Sequence, residues 1–401
     1  MTDSICSTDL PSSAATDRDR LPLGGLLALA TAAFITLLTE ALPAGLLPPM
    51  SRDLDVAPAL IGQLVTVYAI GSLLAAIPLV ILTQGWRRRP LLLIAIGGFA
   101  VVNSVTALST DYSLTLVARL FAGVFAGLLW ALLAGYASRM VAPHLQGRAI
   151  AVAMIGAPLA LSLGIPAGTL LGNLLGWRLS FAIMTGLTLV LIAWVRWQVP
   201  DFPGQRAEKR LPLLRVLTLP GIRPVLFVTF AYVLGHNILY TYIAPFLETA
   251  GIAEQIEQVL LVFGLAALLS IWIVGLLIDR WLRELVLISC ALFTLSTLAL
   301  MFWSQHPALL YAAVAVWGLA FGGLATLLQT ALAKAADSHA DAAQSMLVTA
   351  WNLAIAGGGL IGGVLLEGFG VLAFPWVIAA LLLMSLLVAA NARQHGFPRL
   401  R

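Results

Sequence analysis

The chain has 401 residues, of which 61% are hydrophobic and only 10% charged. Soluble domains carry about 25% charged residues, and no soluble core of this length hides so many apolar side chains, so part of the solvent must be lipid. The net charge of +4 does not point to nucleic acid, because the basic residues lie between apolar segments. Cys6 and Cys290 have no ligand or disulfide spacing. There is no His/Glu cluster, phosphate-cradling glycine loop or nucleophile elbow, so neither an enzyme nor a bound cofactor or metal is expected.

In chain order, residues 1–21 are polar and mixed in charge and read as a disordered tail. Apolar stretches follow at 24–49, 60–83, 90–109, 112–138, 148–173, 177–199, 222–247, 257–279, 284–303, 307–334, 341–366 and 371–391. At about 20 apolar residues per crossing, these predict an all-α membrane protein of twelve transmembrane helices. No strand-like alternation recurs, which excludes a β-barrel. The longest polar interior stretch, Pro200–Pro220, holds Gln205, Arg206, Glu208, Lys209 and Arg210. It divides the chain into six-helix bundles at 22–200 and 221–392, joined by a cytoplasmic linker at 201–220 and followed by a tail at 393–401.

The basic residues set the expected orientation. Nineteen of the 22 lysines and arginines fall on the side of the N-terminus: Arg18, Arg20, Arg87, Arg88, Arg89, Arg139, Arg148, Arg196, Arg206, Lys209, Arg210, Arg215, Arg223, Arg280, Arg283, Lys334, Arg393, Arg399 and Arg401. Arg52 and Arg178 fall on the other side, and Arg119 lies within a span. Both termini are therefore expected in the cytoplasm. The halves also repeat. At a constant offset of 195 residues, Trp86 matches Trp281, Arg88 matches Arg283, and Gly123, Gly127, Gly164 and Gly168 match Gly318, Gly322, Gly359 and Gly363. An offset of six helices predicts two parallel repeats related by a pseudo-twofold along the membrane normal, with a solute site between them near the midplane.

Of the 18 acidic residues only Glu40 lies well inside a span, and of the basic ones only Arg119. A charge at helix centre costs about 2.5–3.5 kcal/mol on insertion scales. Counted from the helix ends at about 1.5 Å per residue, both sit roughly 8–12 Å below the outer face. Glu40 is the candidate proton-carrying carboxylate, with Arg119 as its partner; the structural alternative is a fixed ion pair clamping helices 1 and 4. Helix 7 carries His236, Asn237 and Tyr240 near mid-membrane. His236 and Tyr240 are one turn apart on one face, and such groups suit a hydroxylated or partly aromatic solute. Asn352, Tyr68, Trp130 and Trp317 are further candidates for the solute site; for all of these the alternative is packing or hydrogen bonding within the bundle. In helix 5, Pro158 and Pro166 can bend the helix, and Gly164, Gly168 and Gly172 form a small-residue stripe. Helix 11 repeats it with Gly357, Gly358, Gly359, Gly362 and Gly363. The stripes are expected to be either tight packing or a flexible seam between moving bundles. The inner loop at Gly85–Arg89 could anchor topology or latch the bundles.

At these residues the sequence resembles the bacterial sugar efflux transporter family, the arabinose/IPTG exporter type, in the drug:proton antiporter branch of the major facilitator superfamily. The resemblance rests on Thr39-Glu40 with Pro43 and Gly45-Leu46-Leu47-Pro48, on Leu64–Ala69, on Thr83-Gln84 with Arg87–Arg89, and on Ala118-Arg119 through Trp130-Ala131. It continues through Gly164–Gly168, Gly176-Trp177-Arg178, His236 with Tyr240–Ile243, Pro245-Phe246, Trp317-Gly318 and Asn352. It implies that fold, proton-coupled export by alternating access, and antiporter-type roles for Arg119 and the helix 5 stretch. The loop after helix 2 departs from the superfamily signature, with Thr83-Gln84-Gly85 where an aspartate is usual; Gly275 with Asp279 and Arg280 keeps the signature after helix 8. Gating is accordingly expected from Arg88, Asp279 and Arg280. The expected function is proton antiport of a sugar or drug-like solute across a bacterial inner membrane by a monomer, with a proton-independent facilitator as the alternative. The partners are solute, protons and lipid, with no nucleic acid.

Overall fold

The computed structural model describes residues 20–205, 212–252 and 255–398. The expected tail (all but its last two residues), Arg206, Glu208, Lys209 and Arg210 of the linker, and Arg399 and Arg401 lie outside the described residues. Among the described residues there is no strand. Ten helical stretches are long and apolar enough to cross a membrane. Two of them, Gln258–Trp303 with 46 residues and Pro307–Phe369 with 63, exceed about 65 Å at 1.5 Å per residue, twice the thickness of a hydrocarbon core. Each therefore supplies two crossings, and twelve result.

In chain order the crossings are α1 (Leu23–Gly45), α2 (Pro58–Thr83), α3 (Arg88–Leu108) and α4 (Tyr112–Arg139). Helix α5 is a broken run of Gln146–Met154, Gly156–Leu159, Ala160–Gly164 and Ile165–Leu175, and α6 is Trp177–Gln198. Helix α7 is Ile222–Thr241. Helices α8 (256–280) and α9 (282–303) form one continuous run interrupted only at Trp281, whose φ of −121° and ψ of 26° are non-helical. Helix α10 is Pro307–Gly322 continued by Leu324–Ala336, α11 is Ala340–Phe369 and α12 is Phe374–Asn391.

Local chemistry accounts for several ends and breaks. Asp111 caps α4, its carboxylate accepting from the Leu114 N–H at 2.8 Å. Helices α1 and α7 break at Leu46 (φ −110°, ψ 16°) and Tyr242 (φ −110°, ψ 27°), and each resumes as a short helix, Leu47–Asp53 and Ile243–Thr249. In α5 the seven residues between Pro158 and Pro166 include a π-helical turn, Ala160–Gly164. Prolines remove donors from the helical ladder, and a widened turn is one way to take up the mismatch.

Two hydrophobic cores form. One joins α1 to α6, from Leu26 to Val199, and also takes in Ala333. The other gathers α7 to α12, from Val216 to Phe397. The repeat in the sequence is realised as contact geometry. A methyl group on Gly123 or Gly127 would strike the backbone carbonyls of Tyr68 and Ser72. On Gly318 or Gly322 it would strike those of Phe263 and Ala267. All four pairs keep the 195-residue offset, so the same close approach of α4 to α2 recurs between α10 and α8.

The glycine stripes lie elsewhere than between the halves. Gly164 faces Phe34 and Leu38 and Gly168 faces Leu42, on α1 of the same half, and Gly172 faces Leu46 at its break. Gly358 faces Asn237 on α7, and Gly362 faces Tyr242 at its break. The reading of the stripe as a seam between bundles is corrected accordingly: it seats α1 on α5 and α7 on α11. The side chain of Pro166 lies outside the described residues.

Candidate functional site

Glu40 stands half-buried on α1, three residues before Pro43, which sits inside the helix. A proline has no N–H and crowds the carbonyl four residues back, here that of Thr39, so the helix is loosened beside Glu40. Three neighbouring helices grip this turn. The Tyr68 hydroxyl from α2 donates to the Thr36 carbonyl at 3.1 Å. The Asn103 amide from α3 donates to Thr39 Oγ1 at 3.1 Å. The Arg119 guanidinium from α4 donates through Nη2 to the Glu40 carbonyl at 3.1 Å. Arg119 also lies 5.0 Å from the centre of the Tyr68 ring, a cation–π distance. Thr36, Thr39, Tyr68, Asn103 and Arg119 are all at most 1% exposed.

The sequence brings Glu40 and Arg119 to one depth, and the structure brings them together. The contact, however, is to the backbone of Glu40 and not its carboxylate. No ion pair within 4 Å joins the two among the described residues, which goes against the alternative of a fixed ion pair as clamp. Tyr68, a candidate for the solute site, lies in this cluster.

A second cluster forms in the other half. The Trp317 indole of α10 donates to His236 Nδ1 of α7 at 3.2 Å. An accepting Nδ1 leaves a neutral imidazole with its proton on Nε2. The His236 ring stacks on Phe321 with 3.5 Å between centroids, and on Tyr240 at 5.2 Å. Phe263 lies 4.5 Å from Trp317, and Phe293 stacks on Trp317 at 5.9 Å. Sequence periodicity pairs His236 with Tyr240; Phe263, Phe293 and Phe321 escape it because their helices are apolar all round and offer no contrast. Tyr240 is 43% exposed and Trp317 fully buried. Asn237 and Asn352 do not join the cluster: each donates to a carbonyl one turn back, Val233 at 2.8 Å and Val348 at 2.9 Å. Trp130 is half-buried against the first core.

The halves meet at the arginine-rich end. Buried Arg88 pairs with Asp341 of α11 at 2.7 Å, and Arg139 reaches the same carboxylate at 3.0 Å. Asp279, at the end of α8, pairs with Arg148 at 3.4 Å and accepts from the Arg148 backbone N–H at the start of α5. Gln205 links the linker to both halves, its N–H donating to the Gln84 carbonyl and its side chain to the Ser338 carbonyl. At the opposite end the hydrogen bonds among the described residues stay within one half, as in Asp53 with Trp177 and Arg178, or Gln305 with Thr249. Arg280 is exposed and pairs with nothing among the described residues, so its expected gating role has no contact here. Asp341 was not anticipated, because an acid in the first turn of a span reads as a loop charge. The signal was its register: Asp341 corresponds to Gln146, and Asp279 to Gln84, at the 195 offset. Acid and base have exchanged places between the two joints, which makes good the missing aspartate of the first loop.

Outside the spans, Asp201 anchors the linker. Burial alone would raise its carboxyl, but the Arg87 hydrogen bond, the Arg89 backbone N–H and both positive charges hold it below the ordinary aspartate value.

The chain matches the family described as Major Facilitator Superfamily over residues 29–284 and 225–395. It is 32% identical over 381 residues to a chloramphenicol efflux pump of Mycobacterium tuberculosis, covering 92% of each chain. It is 28% identical over 365 residues to the purine ribonucleoside efflux pump NepI of Escherichia coli, covering 89% of this chain and 91% of that one. Among solved structures it is similar to the proton:xylose symporter XylE (TM-score 0.76, 13% identity, 92% and 95% covered). It is also similar to the human organic anion transporter MFSD10 (TM-score 0.71, 18% identity, 92% and 97% covered). The relatives named are efflux pumps but not sugar exporters, so the resemblance stands for the superfamily and not for its sugar-exporting family.

Proposed function

The chain belongs to the Major Facilitator Superfamily, and we propose that it exports a small solute from a bacterial cytoplasm in exchange for protons. It is a multi-pass membrane transporter and not an enzyme. The observation that carries the proton coupling is that Arg119 holds the Glu40 backbone carbonyl and, among the described residues, leaves the carboxyl outside any ion pair. A carboxyl so placed is free to gain and lose a proton as the halves rock. The joined, arginine-rich end is the one the positive-inside rule assigns to the cytoplasm, so Glu40 would load from the outer side in this arrangement. Each proton moving inward contributes about 2.3 kcal/mol per 100 mV of potential, and that drives the solute out.

The solute is placed at His236, Tyr240 and Trp317, where stacked rings and a neutral imidazole N–H suit a flat ring with polar edges. Chloramphenicol and purine ribonucleosides, the solutes named for the relatives, both combine a flat ring with hydroxyl groups; a plain sugar lacks the ring. The protein works as a monomer in this reading, with Arg88, Asp341, Asp279 and Arg148 closing the cytoplasmic side. A proton-independent facilitator is the second reading, favoured by the three side chains that grip one turn of α1 as scaffold.

Inside-out vesicles separate the two. With an acidified lumen, the exporter accumulates a purine ribonucleoside or an amphenicol in preference to a galactoside. Accumulation that ignores the pH gradient leaves only the facilitator.

A further inference from the structure

Buried side-chain polar atoms without a hydrogen-bond partner number seven among the described residues, and three of them cluster: Asn103 Oδ1, Arg119 Nε and Arg119 Nη1. Such atoms are costly, and this cluster flanks one turn of α1. Asn103 Nδ2 already holds Thr39 Oγ1, and Arg119 Nη2 already holds the carbonyl of the next residue, Glu40. What remains is one acceptor and two donors, on the two side chains that hold Thr39 and the backbone of Glu40.

The geometry points to Asn103 as a positioning residue for proton exchange at Glu40, a role that rests on the proton-coupling reading. The protonated carboxyl donates its O–H to Asn103 Oδ1. On losing the proton to water, the carboxylate accepts from Arg119 Nε–H and Nη1–H. No bond other than the O–H breaks. Each protonation state thus satisfies a different orphan, and Thr39, tied to Asn103, keeps the turn in register. A plain interhelical bond would explain Nδ2 but not an unpaired carbonyl and two unpaired donors on the side chains that hold one turn of α1.

The helices packed on α1 add no competing charge at this depth. Tyr68 is the titratable group of α2. On α4, Arg119 is the charge at this level, with Tyr112 near one end and Tyr136 and Arg139 near the other. Helix α3 is uncharged between 90 and 108, α5 has only Arg148 at its start, and α6 only Arg178 and Arg196 near its ends.

The test uses the full chain in inside-out vesicles, reading the midpoint of the pH dependence of solute accumulation. Asn103→Asp adds a negative charge beside Glu40, which disfavours the carboxylate. The midpoint should move to higher pH by about one unit or more, while the Asn103→Asp/Glu40→Gln double variant should show no gradient-driven accumulation at any pH and keep solute exchange. Labelled-solute exchange at one fixed pH establishes that each variant is folded. Asn103→Leu gives a readout that needs no transport: the infrared C=O stretch that disappears in Glu40→Gln should shift to higher frequency once its acceptor is gone. Gradient-driven accumulation in the wild type, with an unmoved midpoint in Asn103→Asp and an unmoved stretch in Asn103→Leu, overturns the role of Asn103 alone. Gradient-driven accumulation that survives in the double variant, carried by the introduced acid alone, overturns it too. A wild type indifferent to the gradient takes the coupling reading down with it.

Discussion

The two halves share a scaffold and divide the chemistry. Glycines hold α4 against α2 and α10 against α8 through equivalent contacts 195 residues apart. The side chains carried there differ. Tyr68 corresponds to Phe263, Arg119 to Val314, Ala122 to Trp317 and Ala126 to Phe321. One half therefore encloses a charge and a carboxyl, and the other encloses stacked rings. Arg88 and Arg283 diverge in the same manner. Arg88 crosses to Asp341, while Arg283 donates to the carbonyls of Ala389, Ala390 and Phe397 within its own half. Backbone approach is conserved by the geometry of the repeat, and function is written in whichever side chains need not touch that backbone.

The division breaks down most visibly if Glu40→Gln leaves uphill transport intact. That variant should abolish concentrative accumulation in vesicles while sparing solute exchange; persistent uphill transport would remove the charge from the first half's role. Next in size is Asp341→Asn. Removing one partner of a buried pair costs about 3–5 kcal/mol, and here two arginines lose their acid. The thermal midpoint of the purified protein should fall, and thiol labelling of cysteines introduced at the arginine-rich end should rise; unchanged labelling would mean the joint does not hold that end shut.

A smaller effect tests the aromatic half. Trp317→Phe keeps the ring but deletes the donor to His236 Nδ1, a hydrogen bond worth about 1 kcal/mol. The apparent solute affinity should drop roughly five-fold, with the pH midpoint of transport unmoved; a moved midpoint would show that the two halves do not divide the work as proposed. The smallest effect belongs to Asp201. Its folded carboxyl is held below the ordinary value, so its contribution is present above the unfolded aspartate pKa and lost as pH falls through the lower folded one. Asp201→Asn should leave vesicle transport at neutral pH nearly unchanged and flatten the acid limb of the thermal-stability profile.

Helix number and the isolation of Glu40 and Arg119 were legible because lipid forbids unpaired backbone and charge; any exception stands out in a linear pattern. The α8–α9 joint was less legible. Charges at 279–284 suggested a loop, yet only Trp281 leaves helical geometry, because the helix can continue where it emerges from the apolar layer. Asn103 was passed over for the opposite reason: a single uncharged amide in an apolar run carries no special weight until its neighbours are known.

Sequence alone determined the solvent of this chain, its crossings and its repeat, since hydrophobic run length, charge bias and a fixed offset are properties of order along a chain. Tertiary structure decided that Arg119 takes a carbonyl instead of a carboxylate, that the glycine stripes face inward to α1 and α7, and that Asp341 closes the joint its loop could not. Those outcomes depend on which side chains arrive within about 3 Å of each other, and residues as far apart in the chain as Arg88 and Asp341 have no way to signal that distance in one dimension.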